Sequence, residues 1–352
     1  MRAARALVAL AMTASVIVGC AGPGGSAAAA ELVKSDAPRS AADSAAGKRA
    51  AAVEAFSADL YGFLAREPGN VVFSPYSVAV ALAMTRAGAK GTTADQMDKV
   101  LHAATARDLD AGFNALEQEL AKRPGKYPFG DGTVDLELAT ANDLWAQRGF
   151  PFEAPFLDRL AVDYGAGMRL VDFVQKREEA RRAINDRVSE RTHKRIPELI
   201  PQGVLNDLTR LVLTNAVYLK AKWVFSFAKG ATAPAPFYRA DGSETRAQLM
   251  QLNARLRYGR GAGYEAVALP YVGGLSMVVI VPEKGGLAAF EKSLREGPRL
   301  REAIGGLRDA QVRLRLPKFE FRKQAMLKGP LSDLGMPIAF EPGKADFSGV
   351  SP

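Results

Sequence analysis

His102 and His193 are the only imidazoles in the 352 residues, and a hydrolase would need one of them beside a nucleophile. Neither stands in such a context, because no Gly-x-Ser-x-Gly elbow and no His-Glu-x-x-His pair occurs in the sequence. His102 follows the end of a short helical pattern and His193 lies near the end of a charged one, where a protonated imidazole complements the helix dipole. Gly88-Ala89-Lys90-Gly91-Thr92-Thr93 has the composition of a phosphate loop but not its order, since the lysine must follow the last glycine and directly precede Ser or Thr. It reads as a helix stop, a turn and a new cap. Gly259, Gly261 and Gly263 form a G-x-G-x-G without a strand-loop-helix context, which predicts a turn rather than a nucleotide site. Acidic residues are scattered without metal-ligand spacing. The expectation is no enzyme, no metal and no cofactor.

The single cysteine carries a different chemistry. Arg2 and Arg5 precede Ala6 to Val18, apolar apart from Thr13 and Ser15; this charged-then-apolar pattern is that of an export signal and is too short for a stable membrane span. The stretch ends Ile17-Val18-Gly19-Cys20, which resembles the bacterial lipoprotein box, where the Cys sulfur takes a diacylglyceryl group. Residues 1–19 are therefore expected to be a signal peptide and Cys20 a lipid attachment site. Localisation follows as the outer face of the cell membrane, with free secretion after cleavage near Ala27 to Ala30 as the alternative. Cleavage before Cys20 removes two arginines, taking 47 basic residues to 45 against 38 acidic, from +9 to +7. No thiol then remains for disulfide or redox chemistry.

The elements that must position everything else begin later. Residues 20–50 are rich in Ala, Gly, Ser and Pro with no period, and are expected to be a flexible tether, although the alanine content would also permit an early helix. With 48% hydrophobic and 24% charged residues the body is expected to be globular, and no internal apolar run approaches the roughly 18 residues of a membrane helix. The positive charge is spread along the chain without interleaved aromatics, so no nucleic-acid partner is expected. From Ala51, Val53, Phe56, Leu60, Phe63 and Leu64 share one helical face up to Pro68-Gly69. Ser74-Pro75 caps an uncharged helix through Met84, and Thr93 with Gln96 spells a capping box. Val134, Leu136 and Leu138 alternate as a strand does. Leu211 to Leu219 and Leu275 to Val281 suit central strands. Between them Ala180, Ile184 and Val188 form one apolar stripe on a helix whose remaining charges, six basic and four acidic over Glu178 to Arg195, read as a solvated face. Val312, Leu314 and Leu316 alternate with Arg313 and Arg315 until Pro317, the mark of an edge or bulge. Helices early and strands late, without regular alternation, predict an α+β class.

Many short motifs in fixed order carry a resemblance. Asn70-Val-Val-Phe-Ser74-Pro75-Tyr-Ser77 through Gly91-Thr-Thr, Asn142-Asp-Leu-Trp145, Val171-Asp-Phe173, Ile184-Asn185, Leu213-Thr-Asn215-Ala-Val-Tyr218 through Trp223 and Phe227, Leu316-Pro-Lys-Phe319, Leu334-Gly-Met336, Ala339-Phe340 and Ala345-Asp-Phe-Ser348 together resemble the serpin family over residues 51–352. The resemblance implies three β-sheets with eight to nine helices. It also implies suicide inhibition of a serine or cysteine protease, which acylates itself on an exposed loop that then inserts into the largest sheet. By the same resemblance Asn70, Ser74, Ser77 and Asn215 match the shutter beneath the centre of that sheet, and Trp223 matches the breach where the loop first enters. The implied partner is the target protease, the membrane being met only through the lipid anchor, and the complete molecule is expected to be a monomer.

Two departures stand out. Arg187 occupies a position that is often aromatic in the family, and is expected to alter only local packing. The sequence reaches Val350-Ser351-Pro352 just past the Ala-Asp-Phe-Ser motif, so the domain is expected to be an incomplete serpin fold, lacking the reactive loop and the last strands. The alternatives to an inhibitor are a serpin-fold protein with a binding or structural role, an inactive fragment and, more remotely, a lipid-anchored enzyme.

Overall fold

The computed structural model describes residues 7–9, 30–33, 35–42, 46–67, 69–295, 298–320 and 325–351. They fall into two units, one drawn from 1–122, 139–218 and 322–352 and the other from 123–138 and 219–321.

In the first unit, strand β1 (Leu7–Ala9) and strand β2 (Glu31–Val33) precede helices α1 (Ala46–Leu64), α2 (Pro75–Arg86), α3 (Gly91–Val100) and α4 (Ala106–Ala121). Strands β3 (Gly125–Phe129) and β4 (Gly132–Gln147) form a hairpin belonging to the second unit until β4 passes into the first, where α5 (Ala154–Tyr164), β5 (Met168–Val171), α6 (Arg177–Arg191) and β6 (Thr209–Lys220) follow. The sheet order is β1-β6-β4-β5-β2. Alternation along the strands divides two cores. Leu144, Ala146, Leu211 and Leu213 face Phe56, Leu60, Leu82, Met84 and Met97 of α1 to α3, whereas Trp145, Val212 and Ala216 face Ala180, Ile184 and Val188 of α6. Each such buried large side chain is worth about 1.5–3 kcal/mol relative to exposure, so the sheet is held from both faces.

The second unit continues with β7 (Ala233–Tyr238), β8 (Glu244–Gly261), β9 (Tyr264–Pro270), β10 (Ser276–Pro282), α7 (Leu287–Arg295), α8 (Arg299–Gly305) and β11 (Arg308–Pro317). β8 pairs with β7 over its first residues, with β11 along its middle and with β9 at its end, giving the path β10-β9-β8-β11. The described strands thus form two sheets, of six and five strands, where three were expected. Helix α9 (Lys328–Leu334) returns to the first unit and brings the number of α-helices among the described residues to nine.

Several local expectations are revised. The capping box does not form: α3 starts at Gly91, Thr93 lies inside it with its hydroxyl accepting from Asp346 N at 3.0 Å, and Gln96 Oε1 accepts from Ile338 N at 3.1 Å. Both side chains fasten a distant segment instead of their own helix end. That segment also approaches the end of α2 closely, with Gly349 N donating to Gly88 O at 3.1 Å; a Cβ on Gly88 would lie 2.2 Å from Val350 Cγ2. β10, apolar enough for a central strand, ends its sheet among the described residues.

The described part of 20–50 is not a loose tether. β2 pairs antiparallel with β5, and α1 begins at Ala46, five residues before the expected start. Between them Ser40 N donates to Val162 O at 2.9 Å, Asn114 Nδ2 and Gln118 Nε2 each donate to Ser40 O at 3.0 Å, Arg39 Nε donates to Asn114 Oδ1 at 3.0 Å, and Arg39 pairs with Glu117. Backbone polar groups and one arginine hold this segment on α4 and α5, a signal that apolar periodicity does not carry.

A buried carboxyl links α4 to α5 and sets a pH dependence. Asp110 is 6% exposed and accepts the Tyr164 hydroxyl at 2.6 Å; burial raises its pKa to about 6, against the lowering effects of that hydrogen bond and of Arg159. The unfolded carboxyl loses its proton near 3.8, so between there and about 6 the unfolded chain ionises first. Stability therefore falls as pH rises through this window, by roughly 3 kcal/mol in all, and the loss is complete above it. Asp110→Asn, which can still accept the tyrosine hydroxyl, is expected to match the wild type in urea melts at pH 4 and to exceed it at pH 8. Equal stability at both pH values would remove Asp110 as the cause.

Candidate functional site

The residues expected to form a polar latch come from α2 and β6. Ser74 is the N-cap of α2 in extended conformation, its hydroxyl accepting from Ser77 N at 3.2 Å, and Pro75 at the first helical position has no N–H to lose. Ser77 itself is buried, 7% exposed, and its Oγ has no hydrogen-bond partner among the described residues. Asn215 lies on the same face of β6 as Leu211 and Leu213, the face that packs on α2. Its Nδ2 donates to Asn142 Oδ1, while its Oδ1 is buried and unpaired.

Asn142 was not singled out from sequence. It occupies the inward register of β4, in phase with Leu144 and Ala146, and an amide at an otherwise apolar inward position is the signal that could have found it. The structure thus forms two pairs, Ser74 with Ser77 and Asn142 with Asn215. Asn70 is not brought in; it is exposed in the segment before α2. Ser77 Oγ and Asn215 Oδ1 both lack a hydrogen-bond partner among the described residues, and a buried polar atom without one costs about 1–3 kcal/mol.

The opposite face of the sheet is polar in a different way. Trp145 Nε1 donates to Thr214 Oγ1 at 3.2 Å across β4 and β6. Asp143, 8% exposed, pairs with Arg169 of β5 at 2.9 Å and Arg187 of α6 at 3.4 Å. Arg187, expected to change only local packing, in fact ties the covering helix to the sheet by charge. Asn185 closes the far side of α6, its Oδ1 accepting from Leu199 N at 2.9 Å and Ile200 N at 2.8 Å and its Nδ2 donating to Ile200 O at 2.9 Å.

In the second unit Trp223 stacks on Tyr271, with ring centroids 4.0 Å apart and planes at 16°, and meets Phe227 edge-on at 6.3 Å. Val224 N donates to Pro270 O and Val272 N to Lys222 O, both at 2.9 Å. Within its own unit Trp223 is a half-buried anchor for the turn after β6. Cys20 lies outside the described residues.

The histidines gain no catalytic setting. His102 Nε2 lies 2.8 Å from Asp59 Oδ2 with both side chains more than a third exposed, and the His193 ring packs 4.6 Å from that of Tyr218. Both adopt left-handed backbone conformations, φ +50° and +48°, as the chain leaves α3 and α6. Helix termination and contacts to Asp59 and Tyr218, rather than a dipole complement alone, account for their positions. Ala262-Gly263 turns β8 into β9, with Gly263 at φ +76°, whereas Gly259 and Gly261 lie within β8, paired with Ala266 and Tyr264, so only the last glycine of the triplet is in the expected turn. No cluster of three His, Cys, Asp or Glu suited to a metal occurs among the described residues, and none of their helices is long and apolar enough to cross a membrane.

Comparison with known proteins gives this arrangement a context. A family profile described as "Serpin (serine protease inhibitor)" matches residues 51–352. A leukocyte elastase inhibitor of Xenopus tropicalis is 35% identical over 291 residues, 80% of this chain and 75% of that protein. An uncharacterized serpin-like protein of Methanosarcina acetivorans is 32% identical over 310 residues, 86% of this chain and 70% of that protein. Among solved structures, one described as "Cleaved Serpin 42Da" superposes with a TM-score of 0.77 at 32% identity, covering 87% of this chain and 81% of that one.

Proposed function

The chain belongs to the serpin family, and from that premise we propose that it is a suicide inhibitor of serine proteases, with cysteine proteases as further targets, anchored by a lipid outside the cytoplasmic membrane. The observation that carries the reading is the family match along the whole of 51–352, shared with a relative named as an elastase inhibitor. In this mechanism the protease's nucleophile attacks the carbonyl of a bait bond and the amine leaves. The released loop then adds a strand to the large sheet before water can cleave the acyl bond. This chain contributes the sheet and its latch. The sheet must part beside β6, and Asn142, Asn215, Ser74 and Ser77 lie on the face that would exchange partners as it does. Their unpaired Ser77 Oγ and Asn215 Oδ1 fit a network that is better satisfied after rearrangement. Trp223, stacked on Tyr271, is assigned to the breach by the family resemblance. The address rests on Arg2, Arg5 and the Ile17-Val18-Gly19-Cys20 sequence.

The test reads the gene beyond the Pro352 codon and expresses the chain with any continuation found there. It is then mixed with an elastase-type and a trypsin-type serine protease. The expected result is a one-to-one adduct that survives boiling in SDS, with palmitate label on the inhibitor lost in Cys20→Ser. Clean cleavage without an adduct would overturn inhibition and leave a serpin fold used as a binding surface.

A further inference from the structure

Residues 30–33 and 35–42 precede the span that matches the family, which begins at residue 51, yet α4, α5 and β5 carry a set of groups turned to them. Asn114 of α4 is 2% exposed and its amide is fully used. Its Oδ1 accepts from Arg39 Nε at 3.0 Å and Gln118 Nε2 at 2.8 Å, and its Nδ2 donates to Ser40 O at 3.0 Å and Ala41 O at 3.4 Å. Gln118 Nε2 reaches the same Ser40 carbonyl, and Glu117 pairs with Arg39. From α5, Asp158 Oδ1 accepts from Ser35 Oγ at 2.5 Å and Val162 O from Ser40 N at 2.9 Å. Ser40 thus bridges the two helices, its N–H spent on α5 and its carbonyl on α4. Two glycines leave the path open: a Cβ on Gly165, at φ +59° where α5 ends, would lie 2.9 Å from Arg39 Nη1, and one on Gly167 would lie 3.0 Å from Leu32 Cδ1. Beyond them β2 adds to the edge of β5 away from β4, with Leu32 opposite Arg169 and Val33 opposite Met168.

This segment is bonded at once to β5, α5 and α4, and the chain enters α1 at Ala46. Phe56 and Leu60 of α1 share one core with Leu109 and Phe113 of α4 and with Leu144, Leu211 and Leu213 of the sheet. A strand can enter beside β6 only if the sheet slides over that core, and β5 moves with α5, from which three residues separate it. Apolar side chains exchange equivalent contacts as they slide, because dispersion and hydrophobic burial are non-directional. Hydrogen bonds and ion pairs are directional and hold one position. We propose that this segment is a strap that holds β5 and α5 in place against α4 and α1 and so raises the barrier to parting of the sheet. Its consequence for strand insertion rests on the inhibitor reading above; the restraint itself does not.

The test compares full chains carrying Cys20→Ser, which removes the one native thiol. Ser35→Ala/Arg39→Ala releases the strap. Ser35→Cys/Asp158→Cys, at side chains whose oxygens lie 2.5 Å apart, locks it when oxidised and is reversed by dithiothreitol. Amide hydrogen exchange is followed in β4, β5 and β6, with buried α2 reporting global opening. The released variant is expected to exchange at least tenfold faster in the three strands with α2 unchanged. The disulfide form should exchange more slowly than the parent there, and reduction should abolish the protection. Unchanged strands beside freely exchanging residues 35–42 would overturn the proposal, and so would equal acceleration of α2, which would make the segment a general stabiliser. In chains extended past Pro352, adduct formation with an elastase-type protease should be faster in the released variant and slower in the disulfide form. Equal rates would overturn the link to insertion. Absence of any adduct in the parent would instead overturn the inhibitor reading, with hydrogen exchange still deciding the strap.

Discussion

Asn185→Ala is expected to lower the stability of the first unit by about 4 kcal/mol, one of the two largest single-site effects anticipated here outside the hydrophobic core. Asn185 is 6% exposed, and its amide satisfies three backbone groups of Leu199 and Ile200, which are 1% and 0% exposed. Alanine takes from the buried Leu199 and Ile200 N–H groups the carbonyl oxygen they share, each loss costing about 1–3 kcal/mol, while Ile200 O keeps the bond it accepts from Arg181 Nη1 at 3.0 Å. Burial prevents water from replacing the amide without opening the loop. The alternative is that residues 196–200 detach from α6, which exposes Ile196, Leu199 and Ile200 from the core they share with Ile184 and Trp145. Urea unfolding followed by tryptophan fluorescence measures the loss, since Trp145 lies in that core. A change below 1 kcal/mol would mean that the loop repacks without the amide.

How much of this was readable beforehand depended on whether a residue's partner was local. The Ser74-Pro75 start of α2 was legible because a cap and an N1 proline act within one turn, and the alternation of β6 and β11 was legible because a strand side repeats every second residue. Thr93 and Gln96 had the spacing of a local cap, yet both bond to residues more than 240 positions away, and nothing in a local window distinguishes the two outcomes. The fastening of residues 30–33 and 35–42 was missed for a related reason. It is by backbone carbonyls and short polar side chains on α4 and α5, so it leaves no apolar periodicity.

Asn70, Ser74, Ser77 and Asn215 were expected as a latch from family resemblance; the fold buries Ser77 Oγ and Asn215 Oδ1 against the same core and leaves Asn70 exposed. Asn142 and Asp143 were visible only as letters of a motif, because their roles depend on strand register: one residue turns toward α2, the next toward α6. Register also decides which residues of β11 lie beside which residues of β8, Arg313 facing Asn253.

Asp143 carries the second large effect, and it bears on the covering helix. Its carboxylate is the shared partner of Arg169 and Arg187, whose side chains are 19% and 22% exposed. Arg169 also lies over the Trp145 ring at 5.7 Å. Asp143→Ala takes the carboxylate from the Arg169 guanidinium and leaves Arg187 only its more exposed pair with Glu190 at 3.3 Å, and breaking a buried pair by removing one partner costs about 3–5 kcal/mol. The loss should approach 4 kcal/mol in urea melts, and residues of α6 should become more open to protease. The cause is the unpaired charge rather than a cavity, so Asp143→Leu/Arg169→Leu/Arg187→Leu is expected to recover most of the stability. If the triple variant is no more stable than Asp143→Ala, packing and not charge is the origin of the loss. Under the proposed function the two variants differ in a second way. Asp143→Ala frees α6 while leaving the Asn142–Asn215 latch intact, so faster sheet opening in that variant would identify the helix clamp, and not the latch alone, as a barrier to strand insertion.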